Sequence, residues 1–159
     1  MRLLLTLLLS SSDGGTALEL RALTIASGFD DATVDRYESD AFFGHCSATQ
    51  RSVRVGKVWR RVVELTPTKR RTLDGYLGAW RGNHGCTADE VRGVTSLTRR
   101  GVRPPQLTFG GSCEGGDTYL LRVILLEGVA YELHVDTSVM TKVELRGELE
   151  DLLSRVELK

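Results

Sequence analysis

DTYLLRVILLEGVAYELHVDTSVMTKVELRGELEDLLSRV, residues 117–156, holds the clearest folding signal in the chain. Apolar residues run from Tyr119 to Val135 with a break at Glu127-Gly128, which reads as a β-hairpin. With a three-residue loop, Leu126-Glu127-Gly128, Leu125 meets Val129, Val123 meets Tyr131, Leu121 meets Leu133 and Tyr119 meets Val135. That register gathers eight apolar side chains on one face, and a one-residue slip would turn them toward water. It also sets Arg122 opposite Glu132, an opposite-charge pair contributing roughly 0.2–1 kcal/mol. Gly128 then takes the left-handed position such loops need. A two-residue turn at Glu127-Gly128 would instead place Arg122 on the face of Tyr131 and Leu133.

A helix follows directly. Thr141 as N-cap and Glu144 three residues on form a capping box, and Met140 with Leu145 forms a hydrophobic staple. Leu145, Leu149, Leu152, Leu153 and Val156 repeat with a 3.6-residue period, one stripe facing a core. Gly147 interrupts it at a cost of about 1 kcal/mol against Ala. A second helix is expected from Thr66 as N-cap, with Pro67 at the first position, where its missing N–H is harmless. Leu73, Tyr76, Leu77 and Trp80 supply its stripe, and Gly82 its stop.

Strands are expected over residues 18–26, 33–39, 48–55 and 57–65, with turns at 28–31 and Gly56-Lys57. The polar 33–39 strand belongs at a sheet edge. Thr87 and Glu90 suggest a short helix within 82–105, and 107–109 a short strand. Gly110-Gly111 and Gly115-Gly116 bracket Cys113 in a flexible loop. The fold class expected is α+β: an antiparallel β-sheet with two amphipathic helices packed on one face, the final hairpin at or near its centre.

Length and composition suit one domain, residues 18–159, with its own core: the chain has 159 residues, 41% of them hydrophobic. Residues 1–17 read two ways. Met1-Arg2 followed by an apolar run to Leu9 resembles a signal peptide, with small residues downstream for cleavage. Alternatively Asp13-Gly14 turns a first strand back, pairing Leu9 with Leu18, Leu7 with Leu20 and Leu5 with Ala22. The run is too short to span a membrane as a helix. Secreted, periplasmic and cytoplasmic locations all stay open.

Net charge is zero but unevenly laid out. Residues 1–50 carry three Lys/Arg against seven Asp/Glu, residues 51–103 thirteen against four, and residues 104–159 five against ten. The positive middle either packs beside the acidic terminal helix or meets a partner, an acidic protein surface before nucleic acid. Trp59 lies among Arg54, Lys57, Arg60 and Arg61, but one Trp makes a poor base-stacking platform.

Three cysteines leave room for one disulfide. Cys86 and Cys113, both in Gly-flanked segments, are the expected pair, with Cys46–Cys86 and Cys46–Cys113 as alternatives. His45-Cys46, His84-Gly85-Cys86, Cys113 and His134 invite a zinc reading, but no short Cys-x₂₋₄-Cys clip is present. His45 beside Cys46 on a strand would point to the opposite face, which argues against a thiol–imidazole pair. His134 reads as a surface histidine on the hairpin's outer face. The acidic group Asp30, Asp31, Asp35, Glu38 and Asp40 lacks the spacing of a calcium loop. No catalytic, cofactor-binding or metal-ligating residue is assigned, and no cofactor.

The succession of a strand, the Ser27-Gly28-Phe29 turn, the strand Asp35-Arg36-Tyr37-Glu38, a helix, a hairpin and a Leu-rich terminal helix resembles the emfourins, small bacterial metalloprotease inhibitors. The resemblance covers residues 18–40, 66–81 and 117–156 and departs over 41–65 and 82–116. It implies protease inhibition and assigns no residue. The function expected is a small non-catalytic protein-binding module. Its contact loops are expected at Gly28, Phe29, Asp30 and Asp31, and at Gly110, Gly111, Gly115 and Gly116. The alternatives are a Cys/His-dependent hydrolase or zinc-site protein, and a nucleic-acid binder acting through the basic middle.

Overall fold

The computed structural model describes residues 15–39, 46–67, 72–78, 80 and 85–159. The expected N-terminal hairpin, the histidines His45 and His84, Asp40, the basic run 69–71 and Gly82 lie outside them. The described chain is mostly β, within a broad α+β class. Strands β3 (Thr33–Ser39), β4 (Cys46–Val55), β5 (Val58–Pro67), β6 (Asp89–Glu90), β7 (Gln106–Ser112), β8 (Thr118–Leu126) and β9 (Val129–Thr137) form one antiparallel sheet. Its order is β3-β4-β5-β9-β8-β7-β6, so the hairpin β8–β9 is central and polar β3 is an edge, as its sequence suggests. A small second sheet, ordered β1-β2-β10, joins β1 (Leu18–Glu19), β2 (Leu23–Ile25) and β10 (Val156–Leu158).

Helix α1 (Lys142–Ser154) starts as the sequence dictates. Thr141 Oγ1 accepts from Glu144 N at 3.3 Å, and Thr141 N donates to Glu144 Oε2 at 2.8 Å. Leu145, Leu149, Leu152 and Leu153 are buried, packing with Leu120, Ile124, Leu126, Tyr131, Leu133 and the small sheet into one core. Val156, expected on the helix stripe, begins β10 and pairs with Ile25.

The second helix differs from expectation. Thr66 and Pro67 continue β5, with Pro67 opposite Cys46. Helical structure begins at the 3-10 turn Leu73–Gly75 and continues through residues 76–78 and 80. Its stripe is the expected one, since Tyr76 and Trp80 are buried and Leu73 and Leu77 partly so. It packs not beside α1 but on the other side of the sheet, with Phe109, Tyr119, Leu121 and Val123. Two helices on one face is therefore corrected to one helical element on each face.

That arrangement explains the register. Leu126 pairs with Val129, Leu125 with Ala130, Arg122 with Leu133 and Val123 with Glu132, so the connection is the two-residue turn Glu127-Gly128. Both turn residues have positive φ, 51° and 78°, as a type I′ turn requires. A three-residue loop is needed to collect all apolar side chains on one face only where the other face meets water. Here both faces are covered, so that constraint is absent. Arg122 and Glu132 consequently lie on opposite faces, not opposite each other.

Two further expectations give way. The strand 18–26 is two strands, because Leu18, Leu20 and Ala22 alternate in one phase and Leu23 and Ile25 in the other. A turn closed by Leu20 N to Leu23 O at 2.9 Å buries Leu20 and Ala22 as well as Leu23 and Ile25, with Leu18 partly buried. No helix forms from Thr87 and Glu90. Glu90 pairs with Phe109 across β6–β7, and the Thr87 hydroxyl accepts from Ser112 N at 2.9 Å.

Two glycine substitutions separate space from propensity. A Cβ on Gly147, in exposed helix, meets nothing within 4 Å, whereas on Gly111 it would collide with the backbone of Thr87. Gly147→Ala is expected to stabilise by about 1 kcal/mol. Gly111→Ala is expected to destabilise by about 3 kcal/mol, both read as changes in unfolding free energy in urea.

Candidate functional site

Alternation along β9 turns Ala130, Glu132, His134 and Asp136 to the face away from α1. On β5 the facing residues are Val63 for Glu132, Arg61 for His134 and Trp59 for Asp136. On β8 they are Val123, Leu121 and Tyr119. The strands thus line up three ionisable residues, Glu132 between two valines and His134 between Arg61 and Leu121, and Trp80 packs against His134. A cleft of about 310 Å³ results, lined also by Tyr37, Gln50, Asp117 and the Cys86–Cys113 pair.

Glu132 is the deepest charge-bearing group. Burial between Val63 and Val123 raises its pKa to about 7, with the Tyr76 hydroxyl bond opposing the rise. The Tyr76 phenol is in turn pushed well above its ordinary value by burial and by Glu132. Tyr37, half in solvent, is raised by burial, then by Glu132, with Arg61 pulling the other way. Asp136 Oδ2 holds Arg61 Nε at 3.0 Å and stands 4.0 Å from His134 Nδ1. The Arg61 guanidinium lies 5.4 Å from the Trp59 ring centroid. His134 is far from the expected surface position. Its side chain is 17% exposed and packed edge-on against Trp80 and Tyr119, at 6.1 and 5.7 Å.

The sequence-chosen residues fall elsewhere. Phe29 is buried in the α1 core, and Asp30 Oδ1 accepts from Thr16 N at 2.9 Å, which commits part of the Gly28–Asp31 turn to folding. Gly110 and Gly111 are not loop residues but buried members of β7, paired with Leu120 and Tyr119. Gly115 and Gly116 form an exposed turn, both at positive φ, and Asp30 and Asp31 are likewise exposed in their turn. Cys86 and Cys113 are joined by a disulfide. The bond ties the segment preceding β6 to the β7–β8 turn at the cleft wall. Cys46 is a buried thiol outside this bond.

The cleft can therefore donate or accept at Glu132, depending on pH, and offers a fixed Arg61–Asp136 pair and the Tyr37 hydroxyl. The disulfide leaves Cys86 and Cys113 without a thiolate for nucleophilic attack or zinc ligation. Among the described residues no group of three or more His, Cys, Asp or Glu is placed to hold a metal ion. The signal for this site was Glu-x-His-x-Asp at strand period on β9. Assigning that face to solvent hid it. No protein-family model, curated protein or solved structure matches this chain.

Glu132 keeps its proton to about pH 7 when folded, against 4.5 for an ordinary glutamate carboxyl. The folded chain binds the extra proton between those values. The contribution to stability is complete below about pH 4.5 and is lost as pH rises through about 7. Relative to Glu132→Gln, the wild type is expected to lose about 3 kcal/mol over that window, measured by urea unfolding at a series of pH values. The disulfide closes a separation of 27 residues. Replacing Cys86 and Cys113 together by Ser is expected to cost about 3–4 kcal/mol by the same assay.

Proposed function

We propose that the protein is a non-catalytic binding module that recognises another protein through the sheet face bearing the cleft. The observation that carries this is the pair of exposed aromatics on that face. Tyr37 is 43% and Trp59 37% exposed, and Arg61, two residues from Trp59 on the same face of β5, lines the cleft together with Tyr37. Tyr, Trp and Arg are the residues most enriched where binding energy concentrates, and they act best around a pocket that a partner side chain fills. The cleft volume suits one such side chain. Arg54, cross-strand from Trp59, adds positive charge and favours an acidic partner surface.

Protease inhibition is the specific form suggested by the emfourin resemblance. Strand β2, Gly28-Phe29, strand β3, the hairpin β8–β9 and the Leu-rich α1 follow one another in the order that motivated it. A disulfide suits an oxidising compartment, where secreted proteases act. A second reading rests on Glu132: a carboxyl poised near pH 7 in a cleft is also what an acid–base enzyme requires.

Inhibition assays against a panel of zinc metalloproteases separate these readings. Inhibition by the wild type is expected, weakened about tenfold or more by Tyr37→Ala and by Trp59→Ala. Absence of inhibition throughout the panel would remove the inhibitor form. Hydrolysis by the protein itself, lost in Glu132→Gln, would replace the binding reading with the enzymatic one.

A further inference from the structure

On the α1 side of the sheet, a second cavity of about 320 Å³ lies beneath the segment connecting β6 to β7. Arg122 forms its floor. This arginine is 3% exposed, and its guanidinium bonds only to neutral acceptors. Nε donates to Thr108 Oγ1 at 2.6 Å, Nη1 to Gln106 Oε1 at 2.6 Å and Nη2 to the Thr95 carbonyl at 2.9 Å. A guanidinium has five N–H groups, so one on Nη1 and one on Nη2 are left over. Among the described residues Arg122 has no carboxylate within ion-pair distance.

Its neighbours deepen the imbalance. Arg92 and Arg103 line the same cavity, and neither forms an ion pair among the described residues. Arg103 stands close enough to Arg122 to add to the effect of burial, and together they lower the Arg122 pKa to about 10. Against three guanidiniums the lining has one carboxylate, Glu90. Glu150 of α1 acts on Arg122 from outside the lining, with its Oε1 accepting from Thr95 N at 2.9 Å. A role for Arg122 as a strut tying Thr95, Gln106 and Thr108 together accounts for its three bonds. It does not account for two further arginines gathered around an adjoining cavity. A buried cation without a counter-ion is costly, and placing like charges beside it raises that cost.

We propose that this cavity binds a small oxyanion, the phosphate or carboxylate group of a low-molecular-weight ligand. Arg122 holds it from the floor, and Arg92 and Arg103 close on it from the rim. The two remaining N–H groups of Arg122 are on different nitrogens, as two-point recognition of a pair of oxygens requires. The Ser96 hydroxyl on the lining supplies a further donor. The site is independent of the cleft, which opens on the other face of the sheet.

Isothermal titration of the full chain with sodium phosphate and, separately, with citrate tests it, against sodium chloride at matched ionic strength. Saturable one-site binding is expected for at least one of the two anions. Phosphate alone would assign the phosphate class, and citrate alone the carboxylate class. Arg103→Ala, at an exposed position, is expected to weaken that binding about tenfold or more, and Arg92→Ala/Arg103→Ala further. Arg36→Ala, at an exposed arginine on the opposite edge strand β3, should leave it unchanged. Heats no greater than those of the chloride control, or equal affinity in wild type and Arg103→Ala, would overturn the proposal.

Discussion

Burial of both faces of the β8–β9 hairpin is the constraint from which most of the structure follows. One face packs under α1 and the small sheet, the other under the helical segment carrying Tyr76 and Trp80. Two charged residues are trapped there, Arg122 on one face and Glu132 on the other, separated by the sheet itself. They cannot neutralise each other, so each is accommodated in its own way. The carboxyl keeps its proton and bonds to a phenol. The guanidinium, which cannot shed its charge at ordinary pH, is surrounded by neutral acceptors instead. Both cavities of interest adjoin these two residues.

Among the described residues, part of the uneven charge along the sequence is met by internal pairing. Arg60 reaches Asp151 and Glu148 on α1 at 2.8 and 3.5 Å, fastening the acidic helix to the basic strand β5. Arg51 meets Glu64 within the β4–β5 ribbon, and Arg61 meets Asp136. Arg60 is 6% exposed at its side chain but Asp151 is 44% exposed, so this pair is only partly shielded from the screening that weakens surface pairs. Among the described residues of the basic middle, Arg54, Lys57, Arg92, Arg100 and Arg103 form no ion pair.

Local features were legible in the sequence because local chemistry determines them. The Thr141–Glu144 box, the leucine stripe, the Gly56-Lys57 turn and the polar edge at β3 all stand where short-range rules put them. Features set by tertiary context were not. Thr66-Pro67 carries a good helix start, yet pairing with Ser47 and Cys46 of β4 draws the strand through it. The hairpin register turned on whether its second face meets water, which depends on residues 40 or more positions away. The same dependence makes Glu132, His134 and Asp136 read as a solvent-facing row. Gly110-Gly111 reads as a loop when only composition is considered. In the fold, the missing side chains let β7 lie against Leu120 and Thr87.

The ends of the large sheet differ in kind. β6 has two residues, too few to template an added strand, and β3 has seven. Exposed Asp35, Arg36 and Glu38 punctuate β3, so a strand docking there from another molecule would have to match their pattern of signs. A second copy aligned antiparallel about Arg36 would set that residue against itself and Asp35 against Tyr37. Copies of this chain therefore lack the uniform apolar border along which cross-β assemblies propagate, and crowding the protein should not zip its sheets together through that edge.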